Sequence, residues 1–176
     1  MRQRDIILAG KKVALAEMTL ADQPFFQQWL STNEELRQLI DDERVPTMED
    51  QLKWFERVQK PDRRMFSIVT APDGVLIGNG GFVDIDLPTG TATLRITIGN
   101  SEYLGKGLGS EATLLFMRYA FEHMKLSTLI LKVLSSNVRA IRTYAKSGFQ
   151  YLSEELQGAK IIHTMILKAS DFPLPS

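Results

Sequence analysis

The residues of this chain that could do chemistry concentrate in two stretches. The first runs Ile96-Thr97-Ile98-Gly99-Asn100-Ser101-Glu102-Tyr103-Leu104-Gly105-Lys106-Gly107-Leu108-Gly109-Ser110. Alternating apolar residues up to Ile98 predict a strand, and a helical stripe beginning at Leu108 predicts a helix. Gly105, Gly107 and Gly109 fall at the junction, where each missing Cβ lets backbone N–H groups approach a ligand closely. A helix start adds unpaired donors and partial positive charge, which together suit a phosphate or pyrophosphate. The plainer reading is a tight strand-to-helix connection that binds nothing.

The second stretch is Asn137-Val138-Arg139-Ala140-Ile141-Arg142-Thr143-Tyr144-Ala145-Lys146-Ser147-Gly148-Phe149. Asn137 and Tyr144 are two helical turns apart and share a face, with the small Ala140 leaving a groove between them. Val138, Ile141 and Ala145 are expected on the core side. Arg139, Arg142 and Lys146 form a solvated face, one of which could meet a ligand phosphate. Taken alone, Asn137 is a helix N-cap and Tyr144 a half-buried aromatic.

The ligand is the harder question. Gly107-Leu108-Gly109-Ser110-Glu111-Ala112 formally matches the dinucleotide fingerprint, which also needs a carboxylate at the end of the next strand to take the ribose hydroxyls. That strand ends Leu134-Ser135-Ser136-Asn137 and has none. A phosphate-binding Gly-Lys-(Ser/Thr) loop is absent too, because Lys106 is followed by Gly107. A nicotinamide-dinucleotide enzyme therefore stays only as a lesser alternative.

The elements that must position these stretches can be read from period and punctuation. Lys11 to Met18 reads as a strand. Thr19 to Asp22 offers a cap for a helix through Pro24 to Leu30, with Pro24 in its first turn. Thr47 and Asp50 form a capping box for a helix reaching Val58. The Asp41-Asp42-Glu43 cluster lies in the connection between these helices. Met65 to Thr70, Val75 to Val83 and Gly90 to Ile98 read as an antiparallel meander with turns at Ala71–Gly74 and Pro88–Gly90. A helix follows from Gly107 to Met124, then an almost wholly apolar strand, Thr128 to Leu134, as expected of one covered on both faces. Asn137 to Ser147 is a short helix closed by Gly148. Gln150 to Leu156 and Lys160 to Leu167 are the last strands, and 171–176 is a loose tail.

Composition narrows the function. The 176 residues, 44% hydrophobic and 24% charged, carry 21 basic and 21 acidic side chains, two His and no Cys. That length predicts one domain, residues 1–176 with a core at about 11–168, burying roughly 70% of its unfolded surface. Without Cys there is no disulfide scaffold, thiolate metal site or thiol nucleophile, and two His leave little for a metal centre, so none is expected. Zero formal charge argues against nucleic acid as a partner. No apolar run approaches the roughly 20 residues that span a bilayer, and Ile6 to Ala9 is too short for a signal peptide. No membrane partner and a cytoplasmic location are expected.

With these residues in place, the chain resembles the GNAT superfamily of acyl-CoA-dependent N-acyltransferases. The family signature (Gln/Arg)-x-x-Gly-x-(Gly/Ala) aligns with Leu104-Gly105-Lys106-Gly107-Leu108-Gly109, except that Leu104 stands where Gln or Arg is usual. The downstream pattern Asn-x-x-Ala-x-x-x-Tyr-x-x-x-Gly-Phe is met by Asn137, Ala140, Tyr144, Gly148 and Phe149. Within the superfamily it looks most like the ribosomal-protein N-terminal, spermidine and aminoglycoside acetyltransferases. The resemblance implies an α/β (α+β) fold, a mixed and mostly antiparallel central sheet of about seven strands flanked by about four helices.

It also implies acetyl transfer from acetyl-CoA, as co-substrate, to a primary amine such as a peptide N-terminus or a polyamine. Cofactor binding would fall to Ile96, Thr97 and Ile98, to Leu104, Gly105, Lys106, Gly107, Leu108, Gly109 and Ser110, and to Asn137 and Ala140. Tyr144 would be the general acid, a phenol of pKa about 10 facing a thiolate of about 8.5. Asp84 and Asp86, expected to share a strand face, and Glu102, near the acyl end, are the base candidates; ordered water is another. His163 is expected to be structural. A non-catalytic acyl-CoA-binding module is the alternative, and a homodimer paired through the edges of the last two strands is the expected assembly.

Overall fold

In a computed structural model describing residues 4–40 and 44–173, an eight-stranded mixed sheet runs in the order β1-β2-β3-β4-β5-β6-β8-β7. The Asp41-Asp42-Glu43 cluster and residues 174–176 of the expected tail lie outside the described residues. The strands are β1 (Ile6–Ala9), β2 (Val13–Glu17), β3 (Arg64–Thr70), β4 (Leu76–Asp86), β5 (Thr91–Ile98), β6 (Thr128–Leu134), β7 (Gln150–Gln157) and β8 (Lys160–Lys168). The α-helices are α1 (Gln23–Thr32), α2 (Glu34–Leu39), α3 (Met48–Arg57), α4 (Leu108–Arg118) and α5 (Val138–Lys146). Every expected strand and helix forms, and β1 and α2 are additional.

Local chemistry explains most of these elements. Thr47 caps α3, its hydroxyl accepting from the Asp50 N–H at 3.1 Å while the Asp50 carboxylate accepts from the Thr47 N–H at 2.9 Å. The Thr47 N–H and the Thr47 hydroxyl, which also donates to the Asp50 carboxylate at 2.9 Å, hold that carboxyl below its usual pKa. The equivalent box before α1 belongs to Thr19 and Asp22, one turn ahead of Pro24. Asp22 is buried, takes the Ser67 hydroxyl at 2.8 Å and pairs with Arg4 at 2.7 Å. Asn33 caps α2 by accepting from the Leu36 N–H. The α4 segment is regular only to Arg118 and then widens into a π turn over Tyr119–His123.

Two apolar layers clasp the sheet. On one face Phe66, Phe82 and Leu94 pack with Phe116, Ala112 and Leu115 of α4 and with Tyr144 of α5. On the other, Val69, Met65 and Val83 pack with Phe26 and Trp29 of α1 and Trp54 of α3. The face of α5 departs from expectation: Ile141 reaches the core but Val138 and Ala145 are exposed, because the buried side is shared with Tyr144 and Ala140.

One long-range contact ties the first hairpin to the glycine junction. The Glu111 carboxylate, on α4, accepts from the backbone N–H groups of Lys11, Lys12 and Val13 at 2.8, 2.8 and 3.0 Å. Hydrogen bonds to a charged acceptor contribute about 1.5–3 kcal/mol each when well made, less where exposed. Glu111→Ala is expected to cost about 3 kcal/mol, lowering Tm by roughly 6–12 °C for a domain of this size. Thermal melts of wild type, Glu111→Ala and Glu111→Gln check it; an unchanged melt in Glu111→Ala would remove the role.

Candidate active site

The parallel pair β5 and β6 opens midway. Pairing runs from Thr91↔Thr128 to Leu94↔Leu131 and then stops, while β5 stays paired with β4 as far as Gly78↔Ile98. Beyond Leu94, β5 therefore has one unpartnered edge. Gly99 donates to the Ile77 carbonyl at 3.0 Å. Antiparallel alternation then turns Thr97 toward β4, and the N–H and C=O of Ile96 and Ile98 away from it into the opening. Of the three residues expected to meet a pantetheine arm, Ile96 and Ile98 offer free backbone and Thr97 does not.

The opening widens into a cleft of about 1120 Å³, whose lining includes Trp29, Thr93, Arg95, Ile96, Thr97, Asn137 and Tyr144. Asn137 and Tyr144 thus meet in the cleft as their spacing predicted. Asn137 is also the α5 cap: its Oδ1 accepts from the Ala140 N–H at 3.2 Å, and its amide NH₂ has no partner among the described residues. Gly148 (φ +104°) closes α5 in a Schellman turn, with Phe149 N–H donating to the Tyr144 carbonyl and Gly148 N–H to that of Ala145. The Phe149 ring stands 6.0 Å from the Tyr144 ring. This turn fixes the tyrosine. Its burial pushes the phenol up to about 12. The hydroxyl has no protein partner among the described residues. Ala140 packs against the core rather than lining the cleft.

A smaller cradle of about 90 Å³ lies at the glycine junction, lined by Ile98, Leu104, Gly105, Gly107, Gly109, Ser110 and their neighbours. Gly105 and Gly107 hold φ of +73° and +74°, a left-handed conformation that costs other residues about 1–2 kcal/mol. Gly107 is the residue that caps α4. Gly109 is already helical, and a Cβ there would make only ordinary contact with Ile98 at 3.9 Å. Lys106 stands outside the cradle, its ammonium 5.2 Å from the Tyr103 ring centroid.

Two cations stand at the cradle: Lys12, which the sequence did not single out, and Arg139, one of the three basic residues of α5 expected to offer a phosphate contact. A Cβ on Gly105 would lie 3.3 Å from an Arg139 guanidinium nitrogen, and one on Gly107 would lie 4.0 Å from the Lys12 ammonium. Lys12 sits in the hairpin turn held by Glu111, and nothing local in the sequence marks it. Arg139 had a weak signal, as one of three basic residues on α5. The residues present fit a pyrophosphate: bare N–H groups at a helix start, room made by glycine, and a positive charge on each side.

The base candidates separate. A β-bulge between Val83 and Asp86 breaks the alternation, with Asp84 at φ +51°. Asp84 lines the cleft; Asp86 does not, and accepts instead from the Thr89 N–H of the following turn. Glu102 is exposed in a 3₁₀ turn and lines neither cavity. His163 lies 3.4 Å from Glu154 and against the Tyr151 ring, in a structural setting.

Comparison with known proteins agrees with this geometry. The chain is 27% identical over 165 residues to "Alpha/beta-tubulin-N-acetyltransferase 9" of Mus musculus, covering 85% of this chain and 66% of that protein. It is 31% identical over 107 residues to "Probable N-acetyltransferase YjcK" of Bacillus subtilis, covering 58% of this chain and 59% of that one. The chain therefore spans less than two thirds of either relative. Among solved structures, a spermidine N-acetyltransferase from Vibrio cholerae, in complex with CoA and spermine, superposes with a TM-score of 0.82. That match has 20% identity and covers 92% of this chain and 98% of that one. The model of the acetyltransferase (GNAT) domain family matches residues 12–150, and the chain belongs to that family.

Proposed function

We propose that the protein transfers an acetyl group from acetyl-CoA to a primary amine. The observation that carries this reading is the free edge of β5, with the glycine cradle at Ile98 and the cleft lined by Ile96, Asn137 and Tyr144. Acetyl-CoA supplies the activated thioester. Gly105 to Gly109, with Lys12 and Arg139, hold the pyrophosphate. Arg139 stands in for the side-chain contact that Leu104 cannot make. Ile96 and Ile98 offer backbone N–H groups to the arm and to the acyl oxygen as negative charge develops there. The Asn137 amide orients the arm, and Tyr144 gives its proton to the departing sulfur. Asp84 is the carboxylate placed to receive a proton from the amine, directly or through water; the strained φ at this bulge is a second reason to single it out.

Thiol release from acetyl-CoA in the presence of an amine panel tests the reading. Amine-dependent turnover is the expected result. Tight CoA binding with no turnover on any amine would favour a binding module instead, and binding of NAD(P) without CoA would favour the dinucleotide enzyme.

The assembly expectation is refined rather than kept whole. β8 lies inside the sheet between β6 and β7, so it presents no edge. β7 is the terminal strand, and all of its residues are exposed, Leu156 at 76% and Leu152 at 57%. A terminal strand of eight residues that exposes Tyr151, Leu152 and Leu156 invites pairing. We extend the proposal to a homodimer joined through β7; a dimer mass by light scattering at tens of micromolar is expected, and Leu152→Lys should shift it to monomer.

A further inference from the structure

We infer that the acceptor is an amine with carboxylates close to it, rather than a polyamine; the inference rests on the acetyl-transfer reading. The cleft has two sides. α4 and the glycine cradle lie on one face of β5, with the core residues Ala92 and Leu94. Thr93, Arg95 and Thr97 line the cleft together with Trp29 and Trp54, on the side of α1 and α3. A cofactor held at the cradle leaves this second side to the acceptor.

Among the described residues, basic side chains in the cleft lining outnumber the acidic ones, which are Asp50, Glu56 and Asp84, although Lys53 is paired with Glu49 and Lys132 with Glu155. Arg57, at the end of α3, Lys60, in the segment after it, and Arg95, on β5, have no carboxylate within ion-pair distance among the described residues. Arg63, between them, stands 3.8 Å from exposed Asp62. Asp50 is occupied by its cap with Thr47, and Glu56 is exposed on α3. On the strands, Asp84 is the acidic side chain of the lining.

Two physical consequences follow. A polyamine with several ammonium groups would bring like charge against Arg57, Lys60 and Arg95 with one strand carboxylate to offset it. An amine flanked by carboxylates would place those on the three cations and its nitrogen toward the opening.

The test compares acceptors in one thiol-release assay: a peptide with Asp and Glu at positions two to four, its counterpart with Lys there, free glutamate, and spermidine. kcat/KM for the acidic peptide should exceed that for the basic one at least tenfold, and the ratio should shrink in 0.5 M salt. Free glutamate separates a small amino acid from a peptide N-terminus as the source of the same chemistry. The double variant Lys60→Glu/Arg95→Glu should lower or reverse the ratio while CoA affinity holds. Preference for spermidine or the Lys peptide, or a ratio near one, overturns the inference and leaves acetyl transfer standing. If no amine is acetylated, binding of the acidic peptide to the CoA-loaded protein decides: tighter binding of the acidic than of the basic peptide keeps the charge assignment and removes the catalytic reading, and equal binding removes both.

Discussion

Gly107→Val is expected to raise the Kd for CoA at least a hundredfold while the protein still folds. Both halves come from the same geometry. Gly107 caps α4 at φ +74°, and a β-branched residue resists that conformation. The nearest atom to an added Cβ is the Lys12 ammonium at 4.0 Å, so the free protein has room for the side chain. Its stability should fall by about 1–2 kcal/mol, the cost of one left-handed residue, which this fold can absorb. The ligand meets a different situation, because the valine methyls fill the space a phosphate needs and lift it from the N–H groups. Gly107→Ala separates strain from bulk and should lose less affinity. Gly109→Val should also lose less than Gly107→Val, since Gly109 is helical and only space toward Ile98 changes. Lys12→Ala and Arg139→Ala should each weaken CoA by about tenfold at low salt, a difference that fades as salt rises. Calorimetric titration of folded variants reads all of these. Wild-type affinity in Gly107→Val would remove the cradle from the binding site.

How far such a site can be read before folding depends on whether its cause is local. The Thr47–Asp50 box, the Schellman turn at Gly148 and the glycine junction are set by residues within a few positions of each other. They stand where the spacing predicts. The meander was legible because its period is two and its turns carry Pro, Asp and Gly. By contrast, β1 has only four residues and pairs across a bulge with β2, so its strand character comes from the partner and not from its own pattern. The six-residue α2 is too short for periodicity to show. The bulge that separates Asp84 from Asp86 is an event of β4–β5 pairing, invisible to an argument from alternation. Lys12 reaches the cradle because Glu111, 99 residues away, holds its backbone. The group of cations along the cleft, Arg57, Lys60 and Arg95, is likewise assembled from α3, the segment after it and β5. In each case the missing cause is a contact between distant segments.

Tyr144→Phe is expected to lower kcat by about 10²–10⁴-fold with little change in CoA affinity. The substitution keeps the ring against Phe149 and the Schellman turn, and removes only the hydroxyl. With the phenol pushed up to about 12, it stays protonated at every pH the assay can use. The donor is therefore always loaded, and no falling limb from its ionisation should appear in the pH profile below about 11. The raised value also poses an energetic objection. Full transfer from a phenol at 12 to a thiolate of about 8.5 is uphill by roughly 5 kcal/mol, taking 1.36 kcal/mol per pKa unit. Desolvation answers it, because a thiolate forming beside Tyr144 sits in the same dry region, and burial raises its pKa as well. The two proton affinities approach each other, and a hydrogen bond shared between oxygen and sulfur stabilises the leaving group before transfer is complete. On this account the size of the Tyr144→Phe effect should follow the leaving group. An acyl donor whose thiol is markedly more acidic needs less help, so the wild-type to variant ratio should shrink toward one with such a donor. A loss below about threefold with acetyl-CoA and a good acceptor would return Tyr144 to the packing role that its contact with Phe149 already explains. A large loss that does not respond to leaving-group acidity would place the hydroxyl in substrate positioning instead of proton transfer.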